Sequence, residues 1–298
     1  MIKYEWRTHL DEGEAAELAD LLDRAAEYDA EPEYSTIAYS DVVRGMDESD
    51  CKTRHLIVWM LPYSRALSEP LQPERIAGVM RLELDDHGGA EATIVVDPEL
   101  RSRGIVTLLC ERAGMDTTGP RGWLDTGAHV VSAWARGNHP AAGRLSDRFL
   151  IPRTRRIWKL IRSAASPQEI AEAPVLERVG DASIGELAWA GEAAADSEAL
   201  ALREGAKVVG LLSLDRRPVL SAEFGSCATI SRIAFNPASD DAARLRLLQA
   251  AAALAGEAGF SGLAIHVDSA DSALVHVCRL AGFQHDRTDV RFQLGQAR

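Results

Sequence analysis

Cysteine is scarce in this chain. Only four occur in 298 residues, and Cys51, Cys110, Cys227 and Cys278 lie far apart. They supply no close Cys pairs for a zinc site and no Cys-x-x-Cys redox motif. The eight histidines include no His-x3-His pair, so no metal site is expected. Long apolar runs are also missing. None approaches the ~18 residues of a membrane span, and the opening MIKYEWRTHL has no apolar signal core. Neither a membrane partner nor export is expected, which makes the cytoplasm the expected location. Bases are in deficit, 33 Lys and Arg against 45 Asp and Glu, and a net charge of −12 argues against a nucleic-acid partner.

What is present is ordinary for a globular protein: 46% hydrophobic and 26% charged residues. The length exceeds what one core usually accommodates, so two domains are expected. None of these features fixes an oligomeric state. The acids are unevenly placed, with ten acids and only Arg24 as a base between Asp11 and Glu33, around Leu18, Leu21 and Leu22. That pattern reads as the solvated face of an amphipathic helix. Its functional alternative is an acidic rim that attracts a cationic amine.

The proline-bounded stretch SAASPQEIAEAP, residues 163–174, reads as a linker between two segments of similar pattern. The first, 1–162, gives a strand at 2–7, an acidic helix, a helix at 36–46, and strands at 55–60, 76–84 and 92–96. A helix from Gly104, a strand at 129–135, a helix at 140–149 and a basic strand at 155–161 complete it. The second, 175–298, repeats the order with a short strand, a helix through Glu186 and Trp189, strands at 206–214 and 228–235, and a helix at 239–258. A strand at 263–267, a helix at 272–281 and a strand at 288–294 follow. Asn236-Pro237 sits where Asp97-Pro98 sits in the first segment. The expected fold is α/β (α+β), a duplicated unit with a mixed, mostly antiparallel sheet flanked by helices. Trp134 reads as core packing. Arg155, Arg156 and Lys159 read as a solvated strand face, with contact to a phosphate as the alternative.

The stretch VVDPELRSRGIVTLLCERAG, residues 95–114, breaks two local rules. A helix start carries about half a positive charge, so acids belong there, yet Arg101 and Arg103 precede Ile105. Gly104 would cost about 1 kcal/mol against alanine inside a helix. Both choices make sense if an anion sits at the helix start. The first-turn N–H groups point at it, Gly104 lets the backbone approach it, Thr107 adds a hydroxyl, and the arginines add charge-assisted bonds. A diphosphate fits. There is no Gly-x4-Gly-Lys-Ser/Thr and no Gly-x-Gly-x-x-Gly, so neither a nucleoside triphosphate nor a dinucleotide is indicated.

VVDPELRSRGIVTLL resembles the acetyl-CoA-binding motif of the GNAT acyl-CoA N-acyltransferases, whose core reads Arg/Gln-x-x-Gly-x-Gly/Ala. Arg101, Gly104 and Val106 take those three places, Val106 where the family has a small residue. ARGNHPAAGRLSDRFL resembles the later family element, with Asn138 at its Asn, and HVDSADSALVHVCRLAGF resembles the family's ending. The resemblance implies tandem GNAT-like domains and acetyl-CoA as cosubstrate. It places that cosubstrate against Ile94, Val95, Val96, Arg101, Ser102, Arg103, Gly104, Ile105, Val106, Thr107 and Asn138. The implied acceptor is a small amine.

Acyl transfer to an amine needs a base, donors for the oxyanion, and departure of the thiolate. The resemblance places the thioester beside the fourth strand, which makes the N–H near Val95 or Val96 the oxyanion donor. Glu91 shares a strand face with Thr93 and Val95 and is the candidate base, with Glu83 as the fallback. The family's leaving-group tyrosine, counted from Asn138, falls on Leu145, with Ser146 next as the substitute; in the second unit the count reaches Cys278. A missing tyrosine fits either a slower enzyme or an acyl-CoA-binding regulator without turnover, and a pseudo-enzyme without any ligand is the third alternative. The second unit has Asp240 and Ala243 where the first has Arg101 and Gly104. Carboxylates there cap a helix and repel a diphosphate, so that unit is expected to bind no CoA.

Overall fold

A computed structural model describes residues 1–31, 33–47, 52–62, 73–180, 187–190 and 199–296. The chain divides into two compact units. The first holds Met1–Arg155 with Asp289–Arg298, and the second Arg156–Thr288. Each unit contains a mixed sheet of the expected kind.

The first unit's sheet follows the order β1 (Ile2–Arg7), β2 (Thr53–Met60), β3 (Arg75–Leu84), β4 (Gly89–Val96), β5 (Val130–Ala135) and the end of β12 (Gln284–Leu294). All neighbours are antiparallel except β4 and β5, which run parallel. The helices α1 (Glu12–Asp29) and α2 (Tyr39–Asp47) cover one face. Leu18, Leu21, Leu22 and Ala25 recur at helical spacing on α1 and pack on Ile57, Val79 and Val95. The helix α3 (Ile105–Ala113) covers the other face through Ile105 and Leu109. The helix α4 (Pro140–Phe149) contributes Ala142 to a small cluster with Ala135, Val290 and Phe292.

The second unit has the order β7 (Glu177–Val179), β8 (Ala199–Glu204), β9 (Lys207–Ser221), β10 (Gly225–Phe235), β11 (Gly262–Asp268) and β6 (Arg153–Ser163). Its one parallel neighbour pair, β10 with β11, falls at the same place in the order. The helices α6 (Asp241–Glu257) and α7 (Ser272–Leu280) pack their apolar side chains on this sheet. The expected helix through Glu186 lies in part outside the described residues.

Four differences from the sequence reading are physical. The units divide at Arg155/Arg156 and Thr288/Asp289, not at 163–174, because β6 completes the second sheet and the end of β12 completes the first. Within 163–174 the chain forms the short helix α5 (Pro167–Glu172), started by a Ser166–Glu169 capping box. Lys159 is buried and ion-paired to Asp286 at 3.1 Å, so of the three only Arg155 and Arg156 are exposed, on opposite faces of the strand. Trp134 is half-buried beneath the Arg136 guanidinium, 4.7 Å from its ring centroid, rather than in the core.

His55 on β2 is 1% exposed, and its Nε2 has no hydrogen-bond partner among the described residues. Burial pushes its imidazole down to about 4, and the nearby Arg81 charge adds to this. The unfolded chain therefore binds a proton between about pH 6.5 and 4 that the folded chain refuses, so stability falls as pH falls through that window. Between pH 7 and 5 the expected loss is about 2 kcal/mol. Urea unfolding of wild type and His55→Gln at both pH values measures it: the wild type should lose that much more than the variant. Parallel pH profiles would show that His55 takes a proton in the folded state.

Candidate functional site

The site forms where β4 ends. β4 pairs with β3 from Ala90 to Val96, but with β5 only from Gly89 to Ala92. Beyond Ala92 and Ala133 the parallel strands part. The Asp97 N–H donates to the Ala77 carbonyl at 2.9 Å. Antiparallel pairing alternates by two, so Val95 and Thr93 also turn to β3, while Ile94 and Val96 turn towards β5. Of the two expected oxyanion donors, Val96 is therefore the one whose N–H faces the gap between the strands. On β3, Gly78 is required by close approach: an added Cβ would lie 2.5 Å from the Val95 carbonyl oxygen.

The chain then turns through Asp97-Pro98 into α3. Gly104 is the N-cap, in the left-handed region at φ 74°, with no side-chain cap. It stands before the helix, not inside it, so its cost as a helix residue does not arise; a side chain at this φ would be strained. An added Cβ would meet nothing within 4 Å, which leaves open space above the turn. The first intrahelical bond runs from the Leu108 N–H to the Gly104 carbonyl, so the N–H groups of Ile105, Val106 and Thr107 have no acceptor within the helix. Ser102, also left-handed at φ 62°, is exposed together with Arg103 and Gly104. Val106 lines a small apolar hollow with Ile94 and Val96, which turns it towards the sheet.

Arg101 plays a different part from the one expected. Its guanidinium makes a bidentate pair with the buried Asp29 carboxylate at 2.6 and 2.7 Å, and its Nε donates to the Val96 carbonyl at 3.1 Å. The same guanidinium lies 5.1 Å from the Tyr28 ring centroid. These bonds engage the side chain within the protein. Four residues earlier, Asp97 is 1% exposed and accepts from Arg24 at 2.8 Å, Arg75 at 2.6 Å and the Glu99 N–H at 2.9 Å. Burial raises this carboxyl, but the Glu99 N–H and the two arginines outweigh it and hold it below the usual range.

The end of β5 is held by Asp289, which accepts from Arg136 at 3.0 Å and the Gly137 N–H at 2.9 Å. Asn138 follows, exposed and left-handed at φ 50°. His139 then starts α4: its Nδ1 accepts the Ala141 N–H at 3.1 Å, and its ring meets Tyr34 edge-on at 4.5 Å. Since Nδ1 accepts, the neutral ring carries its proton on Nε2. Burial lowers the His139 imidazole, and the Arg101 charge lowers it further, with Asp29 opposing.

Glu91 is half-buried, directly opposite Glu83 on β3 and Ser132 on β5. Glu83 pairs with Arg81 at 2.6 Å, which offsets the cost of two carboxylates in direct register. Ser146 stands apart from these groups. It is buried, and its hydroxyl donates to the Ile151 carbonyl at 2.8 Å. The proton expected to serve a leaving group is used to end α4. Asp29, Tyr34 and His139 were not found by sequence reasoning. His139 was signalled only by its place beside Asn138, and Asp29 was hidden among ten similar acids.

In the second unit the corresponding helix, α6, is capped by Asp240, whose carboxylate accepts the Ala243 N–H at 2.9 Å, with Asp241 in its first turn. Its start is closed by carboxylates where that of α3 is open.

This architecture is the tandem GNAT fold. A tandem GNAT protein of the clavulanic acid biosynthesis pathway superposes with a TM-score of 0.60 at 13% identity, over 98% of each chain. A GCN5-related N-acetyltransferase from Sphaerobacter thermophilus gives 0.58 at 14%, over 97% of this chain and 95% of that one. Within that class, the curated relatives that match are named mycothiol acetyltransferase and are distant homologues. The protein from Thermobispora bispora is 34% identical over 101 residues, 34% of this chain and 30% of its own. The chain spans less than half the length of the curated relatives it matches. No family model matches the sequence. The opening YEWR and the basic strand RTRRIWKL also resemble mycothiol synthase.

The Arg101–Asp29 pair yields a stability prediction. Asp29→Asn leaves a half-buried guanidinium without its counter-charge and should cost about 2–3 kcal/mol, a buried-pair figure discounted for the partial exposure of Arg101. Asp20→Asn, on an exposed acid of the same helix, should change stability by less than about 0.5 kcal/mol. Urea midpoints distinguish them, and equal effects would show the pair to be solvated.

Proposed function

We propose that this protein is an acetyl-CoA-dependent N-acetyltransferase acting on a small amine, with its active site in the first unit. One observation carries the reading: β4 and β5 part beside the uncapped, glycine-led start of α3. The gap offers the Ile94 and Val96 N–H groups to an extended ligand, and the helix start offers the N–H groups of Ile105, Val106 and Thr107 to a diphosphate. Ser102, Arg103 and Gly104 line the approach, and Asn138 lies at the end of the neighbouring strand.

Acetyl-CoA, when bound, supplies the thioester carbonyl that an amine attacks. Glu91 takes the amine's proton, directly or through one water, with Glu83 opposite it as the second carboxylate. The Val96 N–H donates to the carbonyl oxygen as negative charge develops there. With Ser146 engaged by Ile151, the chain supplies no leaving-group acid from α4. A thiolate with a conjugate pKa of about 8.5 departs unaided at a modest rate. An aminothiol sugar is the acceptor suggested by the names of the relatives.

The test is thiol release from acetyl-CoA across a panel of amines that includes aminothiol sugars, and release with at least one amine is expected. The engaged Ser146 favours a second reading, an acyl-CoA-binding regulator. Acetyl-CoA binding without thiol release for any amine would put that reading first.

Further outcomes follow from the same geometry. Glu91→Gln should keep acetyl-CoA binding within about threefold and lower turnover about 10²-fold, the scale of general base catalysis. Normal turnover would move the base to Glu83 or a water chain. Arg103→Glu should weaken CoA binding at least about tenfold and leave the apo melting temperature unchanged or raised, since a carboxylate suits the helix dipole. Calorimetric titration should give one acetyl-CoA per chain, because carboxylates close the equivalent helix in the second unit. A stoichiometry of two would remove that distinction.

A further inference from the structure

The second unit contains a cavity of about 450 Å³ that the acyl-transfer reading does not use. It lies between β6, the last turn of α7 and the start of β12. Leu160 and Phe283, both buried, form its floor. Trp158 forms one wall, and the His285 ring stands nearly perpendicular to the indole at 5.7 Å, with its Nε2 2.8 Å from the Thr288 hydroxyl. Arg279 places its guanidinium 5.9 Å from the Trp158 ring centroid. Gln284 adds an exposed amide.

Arg279 is the unusual member of this group. Among the described residues its guanidinium has no carboxylate partner and no hydrogen bond, and it lies over the Trp158 indole. Its place in the last turn of α7 suits the helix dipole, which explains a cation there but not the lack of a counter-charge. Strand alternation explains that lack. Trp158 and Leu160 face the cavity, and Lys159 between them is buried in an ion pair with Asp286, next to His285. The nearest acid in the sequence is thus already neutralised. The cavity keeps one cation, three aromatic rings and neutral polar groups.

We propose that this cavity binds a small aromatic carboxylate, its ring against Trp158 and Phe283 and its carboxylate on Arg279. A planar carboxylate accepts two guanidinium bonds in parallel. One cation matches a monoanion, whereas a phosphate dianion would leave a charge unbalanced against neutral Gln284 and Thr288. The site is independent of the β4 gap in the first unit and stands whether or not that unit transfers acyl groups.

Saturation-transfer NMR and calorimetry of the full chain with benzoate and indole-3-acetate, against benzamide and indole-3-acetamide, provide the test. The carboxylates should bind saturably below about 10 mM, and at least about tenfold more tightly than the amides. Arg279→Gln, an exposed position whose folding is checked by circular dichroism, should abolish the carboxylate preference and leave amide binding within about threefold. Trp158→Leu should weaken both ligand types. No saturable carboxylate binding in that range, equal affinity for acids and amides, or a preference that survives Arg279→Gln would each overturn the proposal.

Discussion

The first unit depends on two buried carboxylates that fix the end of β4. Asp29 closes α1 and holds Arg101, which in turn holds the Val96 carbonyl. Asp97 receives Arg24 from the same helix and Arg75 from β3. A buried ion pair seldom adds net stability over an apolar packing. What these pairs supply is position. They bind the acidic helix to the end of β4, beside the place where β4 and β5 stop pairing.

This arrangement also changes the meaning of the acidic stretch. As sequence, 11–33 reads as a solvated face. In the fold, Glu14 pairs with Arg7, Glu17 accepts the Ile76 N–H at 2.8 Å and Asp29 receives Arg101. The single base, Arg24, bridges Asp20 and Asp97. Period and burial were legible, because Leu18, Leu21, Leu22 and Ala25 recur at helical spacing. Which of ten acids turns inward was not, since that depends on where distant arginines arrive.

Most strands and helices were legible for the same reason. Alternation and helical spacing are local, and the boundaries of β1 and α4 coincide with the sequence reading. β8 was missed: ALALRE lacks the β-branched residues that mark a strand. The exchange of β6 and the end of β12 between units leaves no local trace, because a strand alternates in the same way whichever sheet it completes. At the candidate site, the helix start with Gly104 was legible as an anomaly, and the gap beside Ile94 and Val96 entered through family resemblance alone. The commitments of Arg101 and Ser146 were invisible because both partners come from elsewhere in the fold.

The two arginines before α3 therefore break the same local rule for different reasons. Arg101 lies outside the helix, and its charge is balanced by Asp29. Arg103 is exposed beside Gly104, at the end of the helix that favours negative charge. The second unit shows what the same turn becomes without that requirement. Asp240 caps α6 at the place where Gly104 caps α3, and Ala243 lies within the first turn of α6. Two units with one strand order thus differ at this helix start, and the first has an arginine and a left-handed glycine there. Packing does not demand that difference, since α6 is built without either. The diphosphate proposed for the first turn of α3 would account for it.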